Sequence, residues 1–190
     1  MAALICCISS VSAQEDDWSM GASFGYASKL MKINYDNTNY TVNQESNQIA
    51  LFVNRSLDDR FGLTGEFDLY IPYRMKDEIP SADIDGTGES NLFLAPYLVA
   101  GDDFNIGLAA GPVISYSKVG IDGRDRKGLF YLDLGLKAWL GYNFNEDWGI
   151  FINSRFEWDI FCNGYHEYIR RGGSFSYGGF NASIGVKYTF

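Results

Sequence analysis

The chain has 190 residues, enough for one closed barrel or one core, and is 46% apolar with unusually many aromatics (16%) and glycines (21). Its net charge of −9 argues against a nucleic-acid partner, because phosphate binding needs a basic patch and none is visible; it argues equally against adsorption to anionic headgroups. No run of eighteen apolar residues occurs, so no transmembrane helix is predicted.

Read from the N-terminus, residues 1–13 are expected to be a secretion signal. Ala2 to Ile8 is an apolar run, and Val11-Ser12-Ala13 places small residues where signal peptidase cuts, before Gln14. The basic segment that normally opens such a signal is missing, so the natural start is expected further upstream; a buried first strand is the other reading of this run. Ala3-Leu4-Ile5 lacks the small residue expected beside a lipid-modified Cys6. After cleavage of Cys6 and Cys7 only Cys162 remains, so no internal disulfide can form.

Residues 14–190 then make one domain, in which an acidic turn followed by an aromatic recurs. The aromatics are Trp18, Phe61, Phe104 and Trp148, spaced by 43 or 44 residues, and a similar step reaches Phe190. Propeller blades and helical repeats share such periods, but the intervening sequence alternates with period two, which is a strand pattern. Phe61, Leu63, Phe67, Leu69 and Ile71 alternate with Gly62, Thr64, Glu66, Asp68 and Tyr70. The same alternation returns over 130–142, 148–160 and 180–190. Eight strands are predicted at 17–30, 45–56, 60–71, 90–101, 104–117, 128–143, 147–160 and 175–190. Connections near 57–59, 102–103 and 144–146 are tight; those near 31–44, 72–89, 118–127 and 161–174 are long and polar. The prediction is all-β: an eight-stranded antiparallel up-and-down transmembrane β-barrel with short periplasmic turns and four longer external loops.

A soluble lipocalin-like barrel would show the same alternation with its faces exchanged. The face opposite the apolar one decides between them. It carries mostly Gly, Ser, Ala and Asn, and it also holds Phe52, Phe93, Tyr97, Tyr131, Trp139 and Phe151, rings suited to filling an interior. The apolar face is capped by aromatics at both ends. Trp18, Phe61, Phe104, Trp148 and Tyr188 lie near the short turns; Tyr70, Tyr116, Phe130 and Trp158 lie towards the loops, Tyr70 on the inward parity. Two such girdles mark membrane interfaces. Pro96 and Pro112 fall inside predicted strands, where each removes a ladder hydrogen bond. A β-bulge near one rim accounts for them, and a lateral notch is the other reading.

With these elements the chain resembles the small outer-membrane β-barrel family of the OmpA, OmpX and opacity type, over nearly all of residues 14–190. The most specific element is Val186-Lys187-Tyr188-Thr189-Phe190, where Tyr188 and Phe190 look like the terminal aromatic signal read by the barrel-assembly machinery. The resemblance implies an outer-membrane protein with a structural, adhesive or surface-interaction role through its external loops, and no cofactor. It implies outer-membrane lipid, lipopolysaccharide and the assembly machinery as partners, with an extracellular protein or surface ligand at the loops. Transport or sensing of small solutes or hydrophobic ligands is the alternative, and lipid-modifying catalysis a third.

Candidate chemistry is sparse. His166 with Cys162 does not fill a metal shell, and Glu167 and Ser174 beside it match no hydrolase arrangement. Asp83, Asp85 and Glu89, with Gly86 and Gly88, are too closely spaced for an EF-hand and read as a solvated loop. Arg124, Arg126, Lys127, Arg170 and Arg171 suit lipopolysaccharide phosphates or simple solubility. The inward parity instead gathers Glu66, Asp68, Asp133, Glu157 and Asp159 with Lys137, Arg155 and Lys187, an expected interior charge network. If residues around the turn near 143–147 pair with numbers summing to about 290, Asp133 faces Glu157 and Arg155 lies between them.

Overall fold

A computed structural model describes residues 18–35, 38–77, 84–121, 127–162 and 174–190. The predicted signal at 1–13 lies outside them, as do Asp83, Arg124, Arg126, His166, Glu167, Arg170 and Arg171. The strands are β1 (Trp18–Tyr35), β2 (Thr38–Ser56), β3 (Phe61–Asp77), β4 (Ile84–Ala100), β5 (Phe104–Ile121), β6 (Lys127–Asn143), β7 (Trp148–Cys162) and β8 (Ser174–Thr189). Each pairs antiparallel with its sequence neighbour, and β8 pairs with β1, so the sheet closes into a barrel without a free edge.

The alternation has the predicted sense. Phe61, Leu63, Phe67, Leu69 and Ile71 are exposed while Gly62, Thr64, Glu66, Asp68 and Tyr70 are buried, and the same holds around the whole barrel. The outer surface is therefore a continuous belt of large apolar side chains, Leu94, Leu108, Leu136, Ile152 and Ile184 among them. Water would not leave such a surface bare on a monomer. A bilayer does, and a tilted spanning strand needs the roughly 9–11 apolar residues that these strands supply.

The tight turns explain the recurring acidic-aromatic mark. Asp58 Oδ1 accepts from the N–H groups of Arg60 (2.8 Å) and Phe61 (2.7 Å), and Asn145 Oδ1 accepts from those of Asp147 (3.0 Å) and Trp148 (2.7 Å). In both, a short side chain caps the turn and the aromatic three residues on opens the next strand. The β4–β5 turn instead uses Gly101 at φ +95°, where a Cβ would strike the Phe104 carbonyl. Trp18, Phe61, Phe104 and Trp148 thus stand at the first residue of β1, β3, β5 and β7, all exposed outward, and Trp158 is exposed towards the other end of β7.

Three expectations need correction. Two of the connections predicted as long loops, 31–44 and 72–89, are largely strand: β1 and β2 run on to Tyr35 and from Thr38, and β3 and β4 extend to Asp77 and from Ile84. Polar residues here continue the ladder, whose backbone pairing does not require an apolar face. Glu89 is not in a loop; it is buried on β4. Pro96 and Pro112 make no bulge and sit in mid-strand with both rings outward. The β4–β5 ladder passes Phe93↔Val113 and resumes at Tyr97↔Ala109 in unchanged register. Each imino nitrogen removes a ladder donor, and the three positions Leu94 to Pro96 have no partner in the β4–β5 register.

The barrel's closing seam ends in reciprocal bonds between Trp18 and Phe190, Phe190 N–H to Trp18 O at 2.9 Å and Trp18 N–H to Phe190 O at 3.2 Å. The Phe190 ring stacks on Tyr188, which packs against Trp148. Deleting Phe190 removes those bonds and about 2–3 kcal/mol of apolar burial in lipid. The folded, membrane-inserted fraction should fall far more than on deleting residues 122–126, as read by the heat-resistant band on gels. Equal fractions for the two deletions would remove Phe190 from any role in closure.

Candidate functional site

The interior is crossed by a network centred on Arg155, the largest fully buried side chain among the described residues. Arg155 extends from β7 across the lumen to β3. Its Nη1 donates to Glu66 Oε1 at 2.7 Å, and its Nη2 to Asp68 Oδ2 at 2.5 Å and to the Tyr70 hydroxyl at 3.0 Å. Its Nε donates to Glu157 Oε1 at 2.9 Å, two residues along its own strand. A planar guanidinium with a fixed fork of donors suits three carboxylates at once. Each acid has a further partner: Lys137 on β6 pairs with Glu66, Gln48 Nε2 donates to Asp68 Oδ1 at 2.7 Å, and Lys29 Nζ lies 3.3 Å from Glu157 Oε2. Lys29 also pairs with Glu89, and Asn181 donates to the Tyr70 hydroxyl at 3.0 Å. Rings floor and roof the cations, with Lys29 4.1 Å from the Tyr70 centroid and Arg155 5.1 Å from that of Phe93.

Below this layer Phe93, Ala95, Tyr97, Ala109 and Val113 form an apolar cluster with Trp139 against it. Phe52 meets Phe151 edge to face at 5.1 Å, and Tyr97 meets Trp139 at 5.7 Å. Gly107 has no room for a side chain, because a Cβ there would penetrate the Trp139 ring. A cavity of about 40 Å³, room for a few waters, lies between Asn54, Thr64, Asn105, Lys137 and Lys187. A more open space of about 800 Å³ touches Gly25, Trp139, Asn153 and Ser183.

Of the predicted network, Glu66, Asp68, Lys137, Arg155 and Glu157 come together. Asp133, Asp159 and Lys187 are not among Arg155's partners: Lys187 lines the small cavity, half-buried, nearer the short turns. The predicted register also fails. Asp133 faces Asp159, Gly135 faces Glu157 and Lys137 faces Arg155, because Phe144–Asp147 form a four-residue turn that sets one constant register from Asn143↔Gly149 to Asp133↔Asp159. Arg155 therefore serves β3 across the barrel, not an acid pair on its own hairpin. Tyr70, counted with the outer girdle, is a buried acceptor of this network. Lys29 and Glu89 were missed as members. Lys29 follows Gly21, Ser23, Gly25 and Ala27 on the inward parity of β1, a signal that was legible; Glu89 lay one residue before the predicted strand.

No family model matches the sequence, and no curated protein matches it. Solved structures do share the fold. Neisserial surface protein A is similar over 91% of this chain and 97% of its own, at 12% identity and a TM-score of 0.63. The outer membrane protein OprG from Pseudomonas aeruginosa is similar over 92% and 96%, at 13% identity and a TM-score of 0.59. Ail, the attachment invasion locus protein of Yersinia pestis, is similar over 93% and 100%, at 16% identity and a TM-score of 0.52. The chain has the fold of the small outer-membrane β-barrels.

Proposed function

We propose that this chain is an integral protein of a bacterial outer membrane whose barrel is a closed support for its external connections, with a structural, adhesive or surface-interaction role. Residues 1–13 act as the export signal, and Tyr188 with Phe190 as the signal for the assembly machinery. Arg124, Arg126, Lys127, Arg170 and Arg171 supply cations for lipopolysaccharide phosphates, and the long connections meet an extracellular protein or surface ligand. The role is non-catalytic, since Glu66, Asp68, Glu89 and Glu157 are engaged by Lys29, Lys137 and Arg155. The observation that carries this reading is the combination of an apolar outer belt with a lumen bridged by Arg155 from β7 to β3. An eight-stranded barrel has an interior only wide enough for side chains, so solute transport through it is disfavoured.

Two measurements test the proposal. The protein should fractionate with outer membranes and migrate differently in SDS before and after boiling, as closed barrels do. In planar bilayers it should give no large, steady single-channel currents. Recovery as a heat-insensitive soluble protein would overturn the location, and steady conductance would overturn the closed lumen.

A further inference from the structure

Asp133 is fully buried on β6, and neither of its carboxylate oxygens has a hydrogen-bond partner. The charged groups around it are Glu157, Lys29, Asp159 and Glu89, three acids and one lysine, and that lysine already holds Glu89 and Glu157. Asp159 stands directly opposite it in the β6–β7 ladder. Among the described residues, the fully buried carboxylates are Glu66, Asp68, Glu89, Asp133 and Glu157, and the buried cations are Lys29, Lys137 and Arg155. Each of these cations contacts one or more of the other four acids. Asp133 has no direct ion pair, the nearby Lys29 being held by Glu89 and Glu157, in a setting where an isolated carboxylate is costly.

A proton on Asp133 removes the charge but leaves its hydroxyl without an acceptor among the described residues. A metal ion has the opposite requirement. Two carboxylates that share a hard cation each stand about 2.3–2.6 Å from it, so their oxygens lie farther apart than a hydrogen bond allows. A directly opposed cross-strand pair, with Cβ atoms about 4.5–5.5 Å apart, provides such a gap. All the donors are oxygens, which selects Ca²⁺ or Mg²⁺ over zinc or copper. We propose that the half of the lumen nearer the long connections binds one hydrated hard divalent cation through Asp133 and Asp159. Among the described residues no third acid, imidazole or thiol joins these two to complete a cage, so water fills the rest of the shell. Affinity is therefore modest, of order 10⁻⁴–10⁻³ M.

The test uses the whole chain refolded in detergent and titrated with calcium chloride at constant ionic strength. Calcium should raise the unfolding midpoint saturably, by about 5 °C at a hundredfold excess over half-saturation. Equilibrium dialysis with radioactive calcium should reveal a binding site that Asp133→Asn removes. Asp133→Asn, which keeps the shape and drops the charge, should abolish the thermal shift as well and unfold without calcium at or above the wild-type midpoint. Asp102→Asn, at an exposed short turn, should change neither reading. A wild-type midpoint insensitive to calcium, or a calcium effect that survives in Asp133→Asn, would overturn the site. A midpoint that follows pH but not calcium would assign a proton to Asp133 and overturn it as well. Should Asp133→Asn fold poorly, the same dialysis on Asp159→Asn decides the question.

Discussion

Replacing Arg155 by alanine is expected to lower the unfolding free energy by about 3–5 kcal/mol, the cost of removing one partner from a buried charge cluster. The loss should fall unequally on the three acids. Glu66 keeps Lys137 and Glu157 keeps Lys29, but Asp68 retains only the Gln48 amide. Arg155→Ala combined with Asp68→Asn should therefore recover a substantial part of the stability lost by the single variant, and the recovery measures the coupling. Arg155→Lys should recover little, because one ammonium cannot reach Glu66, Asp68, Glu157 and Tyr70 together. Urea unfolding midpoints in detergent or lipid read all three variants. An unchanged midpoint in Arg155→Ala would mean that water already solvates these charges.

The second large effect tests which solvent meets the outer face. Leu136 points outward from the middle of β6, and Tyr142 points outward close to its short-turn end. In lipid, Leu136→Arg should cost about 2–4 kcal/mol, and Tyr142→Arg only about 0–1, because the penalty for a charge on a barrel's lipid face depends on depth. A barrel surrounded by water would show no such gradient. The comparison needs refolding into vesicles, where the bilayer has a midplane. Equal small costs at both positions would contradict the membrane orientation of the belt.

Much of this fold is legible in the sequence because its information is one-dimensional. Period-two alternation fixes which side chains face inward, and Glu66, Asp68, Lys137, Arg155 and Glu157 all follow from parity alone. Partners do not follow, since they depend on register and on distances across a lumen that no hairpin contains. A change of about two in the pairing sum around the β6–β7 turn moves Asp133 from Glu157 to Asp159. Strand ends were hidden for another reason. Beyond the apolar belt the alternation changes parity, Leu30 being followed by Met31, Ile33 and Tyr35, so the belt's own pattern breaks off before β1 reaches Tyr35. The seam between Pro96 and Pro112 needed both strands at once, because a gap without a bulge is invisible in either segment by itself.

The reach of the buried pairs also bears on the order of assembly. Apart from Arg155–Glu157 on one strand, the ionic contacts of the lumen join distant parts of the chain: Lys29 to Glu89, Lys137 to Glu66, and Arg155 to Glu66 and Asp68, at separations of 60, 71, 89 and 87 residues. Among the described residues, the Arg155–Glu157 contact on β7 is the one interior ion pair that a single hairpin supplies by itself. A half-built sheet entering lipid would expose bare carboxylates and ammonium groups to hydrocarbon, and only ring closure quenches them together. Intermediates are thereby penalised while the finished cylinder is not, so the chain has little to gain from inserting strand by strand. Full closure of the ring is thus the state in which these ions cost least in lipid.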